Sequence, residues 1–163
     1  MEKQENVSLG FLVGERKCGT CTKCCEGYLS GIVYDIPFFK GKPCHFVDQG
    51  TGCGIYEHRP DNPCKAFECW WLSEANVPGW MKPNLINAIF MRGVIQGIDY
   101  ICLKEAGASL DARVLSWAVQ AAVNNNYNFA WECDGGWGVI GSQEFKNAFY
   151  LFGKPLREAF PQR

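Results

Sequence analysis

The sequence predicts an α+β fold in which a cysteine-rich, loop-dominated half packs on a small antiparallel sheet with one or two helices. Three observations predict it. Eight of the ten cysteines fall between Cys18 and Cys69. The same stretch is punctuated by glycines and by Pro37, Pro43, Pro60 and Pro63, which interrupt any long periodic segment. Beyond about residue 80, apolar residues recur first at strand spacing and then at helical spacing.

The 163 residues fit one domain spanning 1–163, with a cysteine-cluster region at 15–72 and a small α+β region at 80–163. Sixteen Lys and Arg against seventeen Asp and Glu give a net charge of −1. That balance lacks the basic excess of a nucleic-acid-binding domain. A hydrophobic content of 47% with 20% charged residues excludes a mainly disordered chain. No run of 18 or more apolar residues occurs, so no membrane span is expected. The apolar stretch at 7–13 is too short and too glycine-broken to read as a signal peptide. A cytoplasmic location follows as the expectation, and there thiols stay reduced and serve as metal ligands before they serve as disulfides.

The second half is read element by element. Runs at 85–95 and 98–103 are β-rich and separated by Gln96-Gly97, a hairpin signal. Ser109 precedes a helical pattern over 110–123, whose positions Leu110, Val114, Trp117, Ala118, Ala121 and Ala122 share one face. The Asn124-Asn-Asn126 cluster suits its end. Tyr127, Phe129, Trp131 and Cys133 alternate with Asn128, Ala130 and Glu132, predicting a strand with one buried face. Asp134-Gly135-Gly136 turns into a short strand at 137–140. A last helix over 143–152 presents Phe145, Ala148, Phe149 and Phe152. No catalytic constellation stands out in this half, so catalysis by this chain alone is not expected.

The first half carries the chemistry. Cys18-Gly-Thr-Cys21-Thr-Lys-Cys24-Cys25 is a C-x-x-C-x-x-C-C cluster. Two intervening residues let a tight turn aim two thiolates at one ion. Adjacent Cys24 and Cys25 project differently, which suits either two metal positions or one metal and the layer of groups around it. A second group contains Cys44, Cys53, Cys64 and Cys69. A half so poor in apolar contacts needs something besides a core to hold it, and bound metal supplies folding energy. The eight thiols are the predicted metal ligands. They could fill two zinc sites, one iron–sulfur cluster plus one zinc, or two clusters. Three thiols at two-residue spacing are similar to the run that wraps a [4Fe–4S] cube, which tilts the cofactor towards iron–sulfur over zinc. Cys102 and Cys133 lie in strand patterns and read as buried core thiols. His45 and His58 flank ligand candidates but read as surface or supporting residues. Arg59 reads as a structural guanidinium beside the thiols, and Tyr56, Trp70 and Trp71 as shields around the metal region.

These motifs resemble the YkgJ-type cysteine-cluster family, described as zinc- or iron-chelating domains related to flagellin N-methylase. Cys18 to Cys25 match its first element, Cys44 its middle cysteine and Cys53-Gly-Ile-Tyr-Glu-His-Arg-Pro60 its third. Cys64-Lys-Ala-Phe-Glu-Cys69 departs from it, with four residues between the cysteines. The similarity covers roughly residues 18–105. It implies a metal-binding protein with a structural or accessory role. The methylase kinship implies as an alternative an iron–sulfur redox or lysine-modifying enzyme component, and a metal-stapled assembly protein of a larger particle is a third reading. The expected partners are the metal ion and, on the last reading, other proteins; neither nucleic acid nor membrane is expected.

Overall fold

The protein's structure, a computed structural model, describes residues 16–159, with side chains to 153. The stretch at 7–13 lies outside the described residues. Short elements make up the first half. Lys23–Glu26 is a 3-10 turn. β1 (Gly31–Val33) and β2 (Ile36–Phe38) form one antiparallel hairpin, and β3 (Val47–Asp48) with β4 (Gly52–Cys53) forms another. A 3-10 turn at Tyr56–His58 and an irregular helical turn at Asp61–Lys65 lead to α1 (Trp70–Ser73). A turn at Gly79–Met81 and α2 (Pro83–Ile86), which has Pro83 at its first position, complete this half.

β5 (Ala88–Ile95) and β6 (Ile98–Glu105) pair antiparallel along their whole length. The expected turn joins them: Gln96 and Gly97 both take positive φ, 50° and 77°, matching the right-handed twist of the flanking strands. α3 (Ala112–Asn124) starts two residues later than Ser109 suggested. Asp111 caps it, its carboxylate accepting the Arg113 N–H at 2.7 Å. The Ser109 hydroxyl is engaged elsewhere, on Asp134 Oδ1 at 2.9 Å.

α3 acts as a crossover, and β7 (Phe129–Cys133) therefore lies parallel to β6, while β8 (Gly136–Ile140) returns antiparallel to β7. The α+β architecture stands, but the four-stranded sheet, ordered β5-β6-β7-β8, is mixed and not wholly antiparallel. Period-two spacing locates a strand without giving its direction; a 13-residue helix between two strands returns the chain to the end from which it started. α4 (Gln143–Ala159) is longer than expected. Ser142 Oγ accepts the Phe145 N–H at 3.1 Å at its start.

Both faces of the sheet are covered. On one, Ile89, Met91, Tyr100, Cys102 and Ala130 pack against Phe145, Ala148 and Phe149 of α4, and against Leu29 and Cys69 of the first half. On the other, Ala88, Phe90, Ile101, Leu103 and Phe129 pack against Val114, Ala118 and Ala122 of α3 and against Trp70, Val77, Met81 and Ile86. β7 thus departs from the expected single buried face, since Phe129 and Ala130 point oppositely and are both buried. Phe152 falls outside the packed stripe of α4 and is 50% exposed. Cys102 is buried as expected, whereas Cys133 ends β7 half-exposed, 3.8 Å from Asp134 Oδ2. Lys104 is buried on the cysteine-facing side of the sheet; burial lowers its ammonium pKa, and Glu132 and Cys102 oppose that shift.

Phe90 sits at the centre of the second core, its ring 5.7 Å from Trp70, 6.4 Å from Trp117 and 6.5 Å from Phe129. Truncating it leaves a cavity among rings that cannot collapse into it. Phe90→Ala is expected to destabilise the chain by about 3–5 kcal/mol, read as a lowered urea midpoint with unchanged slope.

Candidate metal centre

The C-x-x-C-x-x-C-C segment folds as two consecutive tight turns. The Cys21 N–H donates to the Cys18 carbonyl at 3.0 Å, and the Cys25 and Glu26 N–H groups donate to the Thr22 carbonyl at 2.8 and 3.0 Å. Buried Thr22 locks the second turn by donating its hydroxyl to Glu26 Oε1 at 2.6 Å. Gly27 ends it at φ 100°, where a Cβ would come within 2.2 Å of the Phe39 carbonyl oxygen, so only glycine lets the two segments meet.

The later cysteines are brought in by different elements. The Cys44 N–H donates to the Cys25 carbonyl at 2.8 Å, and the Val47 N–H donates to the Cys44 carbonyl at 3.1 Å. Val47 is opposite Cys53 in the β3–β4 register, so this one hairpin presents Cys44 and Cys53 beside Cys25. The hairpin also abuts the first turn: a Cβ on Gly52 would lie 2.8 Å from the Gly19 carbonyl oxygen. Cys64 lies in the irregular turn Asp61–Lys65. Cys69 precedes α1, where the backbone N–H groups of Leu72 and Trp71 favour its thiolate.

An anchor that the sequence did not advertise fixes the start of the cluster. Arg16 Nη1 donates to the carbonyls of Trp71 at 2.6 Å and Glu74 at 3.0 Å; Nη2 donates to those of Ala75 at 3.2 Å and Val77 at 2.7 Å. Its guanidinium also lies over the Trp71 ring, 4.8 Å from the centroid. This places the residues before Cys18 beside those after Cys69. An arginine two residues ahead of a cysteine motif has no sequence signature of such a role.

A cavity of about 190 Å³ lies between these elements, and seven of the eight candidate thiols line it: Cys18, Cys21, Cys24, Cys25, Cys53, Cys64 and Cys69. Apolar side chains, among them Leu29, Phe38, Phe67 and Leu72, form much of the remaining wall. Cys44 is outside the lining, tied to the site through Cys25. None of the ten cysteines is in a disulfide. Among the described residues, no three His, Cys, Asp or Glu side chains are close enough to hold a single metal ion as they stand.

Tyr56 and Trp71 border the cavity as expected, but Trp70 points the other way, into the second core against Phe90. Consecutive residues at the start of a helix face different directions, which assigns the pair to opposite sides. His45 and His58 are exposed and absent from the lining. Arg59 stacks on Tyr56, 3.8 Å from the ring centroid, and borders the cavity. Its Nε and the Trp71 Nε1 are buried N–H donors without acceptors.

No family model, curated protein or solved structure matches the chain.

The thiols are electrostatically coupled. Burial pushes the Cys25 thiol up to about 12, and the charges of Cys44, Cys53, Cys18 and Cys64 add to it. Burial likewise raises Cys69 to about 11, with Cys18 and Cys21 contributing. Cys24 is raised well above its ordinary value by burial and then by Cys69, Cys25, Cys21 and Cys18. Burial and Cys21 raise Cys18, while Arg59 and Lys82 oppose that. The folded, metal-free chain therefore holds these protons at a pH where the unfolded chain has begun to release them. Its stability is expected to fall as pH rises from about 9 towards 12, seen as a falling urea midpoint. Arg16→Lys removes the planar fork that reaches four carbonyls, and a loss of about 1–3 kcal/mol is expected in the same measurement.

Proposed function

We propose that this chain is a metal-binding protein that holds an iron–sulfur centre through Cys18, Cys21, Cys24, Cys25, Cys44, Cys53, Cys64 and Cys69. The observation that carries the reading is the convergence of seven of these thiols on one cavity. Seven thiols gathered on one apolar-walled cavity, none of them in a disulfide, make a concentration of soft donor atoms that packing alone does not require. The donor set fits a soft metal. The unpartnered N–H groups of Trp71 and Arg59 fit as well, since sulfur ligands carrying negative charge accept such donors. When bound, iron–sulfur supplies one-electron chemistry or a structural staple. The chain's own residues then supply four functions: they ligate, exclude water with Phe38, Phe67 and Leu72, donate hydrogen bonds from Arg59 and Trp71, and tie the site to α1 through Arg16.

A cytoplasmic, accessory role is the reading we favour. The cavity wall contains no carboxylate or imidazole among the described residues, and a general acid or base is the usual companion of group transfer. The similarity to the cysteine-cluster family supports the same reading. Among the described residues, no helix is long and apolar enough to cross a membrane. Zinc is the second reading, since eight thiols suffice for two tetrahedral four-thiolate sites.

Anaerobic purification followed by elemental analysis tests this. The expected result is a brown protein containing iron and acid-labile sulfide, with colour lost in Cys21→Ser. A colourless protein carrying stoichiometric zinc would replace iron–sulfur with zinc, and one free of both metals would sink the proposal.

A further inference from the structure

Resting on the metal-binding reading, we propose that the eight thiols form two separate metal positions: an inner one from Cys18, Cys21, Cys24 and Cys69, and an outer one from Cys25, Cys44, Cys53 and Cys64. The division starts at the adjacent pair. Cys24 and Cys25 share the 3-10 turn Lys23–Glu26, where successive side chains leave the axis about 120° apart. Two such sulfurs diverge although both border the one cavity, and different parts of the fold lie beside each residue. Cys24 packs against the core cluster that contains Cys69, which is only 7% exposed. The Cys25 backbone carbonyl accepts the Cys44 N–H at 2.8 Å, in the segment that leads into the β3–β4 hairpin carrying Cys53.

The remaining assignments follow from the chain. Cys18 and Cys21 bracket one tight turn on the near side of the Arg16 anchor, whose acceptors begin two residues after Cys69. Cys64 lies in the turn Asp61–Lys65, where Pro63 packs beside Gly31 of β1, away from the core cluster.

The two positions differ in what supports them. Two members of the inner set reach the core against the sheet: Cys69 belongs to it and Cys24 packs on it. The outer set rides on two-residue strands and irregular turns, and none of its four cysteines belongs to a core cluster. Segments with few buried contacts open at lower free energy than the core. The outer position therefore exchanges its metal while the inner one holds.

Zinc titration of the reduced, full-length chain under anaerobic conditions, read by native mass spectrometry, tests this division. Two zinc ions per chain are expected, each a four-thiolate site. Cys44→Ser/Cys53→Ser is expected to retain one ion and the near-ultraviolet circular dichroism of the parent. Chelator challenge of the loaded parent provides a reading that needs no variant: one ion should leave with the spectrum intact, and the second only as the spectrum collapses. A parent saturating at one ion, a folded double variant that binds none, or release of both ions in a single step would each overturn the division while leaving the metal-binding reading in place. A parent that takes up no zinc overturns the division, and one that also purifies anaerobically without iron removes the metal-binding reading itself.

Discussion

Negative charge on closely gathered sulfur is the constraint around which the first half is built. Cys18, Cys24, Cys25, Cys64 and Cys69 ionise against burial and against neighbouring sulfurs, and within the site Arg59 and Lys82 are the cations that act against this on Cys18. A soft dication reverses the balance, because the same low-dielectric setting that penalises a lone thiolate strengthens its attraction to the metal. The short hairpins and turns that deliver the cysteines have little apolar surface to bury between themselves. On the metal-binding reading, their order and their chemistry would rest on the same atoms, whereas in the metal-free chain it is the retained thiol protons that favour the folded lobe.

The second half gives that lobe a floor. One face of the mixed sheet carries Ile89, Met91, Cys102 and Ala130, against which Leu29 and Cys69 settle beside α4. The other face is closed by α3 and by the segment around Trp70, Val77 and Met81. The four residues of α1 therefore serve both layers: Cys69 at its start turns towards the thiols, while Trp70 turns towards Phe90.

Much of this architecture was legible in residue order. Gln96-Gly97, the apolar stripe Val114, Ala118 and Ala122, and the glycine-broken cysteine half all gave their structures away, because turn chemistry and periodicity are local. The parallel pairing of β6 with β7 was not legible, since direction depends on where a helix returns the chain. Asp111 displaced Ser109 as cap because both residue types cap well and the choice is made by which backbone N–H lies within reach. The cysteines announced themselves by number and spacing. Their convergence on one cavity and the turning away of Trp70 depended on tertiary packing. Arg16 gave no signal at all: a guanidinium binding four backbone carbonyls leaves no pattern in its partners' identities, since Trp71, Glu74, Ala75 and Val77 have nothing in common.

That arginine has a topological consequence. By joining residue 16 to residues 71–77 it closes the cysteine lobe into a ring of chain that contains all eight candidate ligands. Every member of the ring precedes the first strand of the sheet in synthesis order. A nascent chain thus has its whole ligand set, and the buckle that fastens it, in hand before the platform it will rest on has been translated. Cutting the ring at an exposed turn such as the one at Gly41 would open the circle without freeing either end, since the arginine buckle and the backbone bond from Cys44 to Cys25 still join the two pieces.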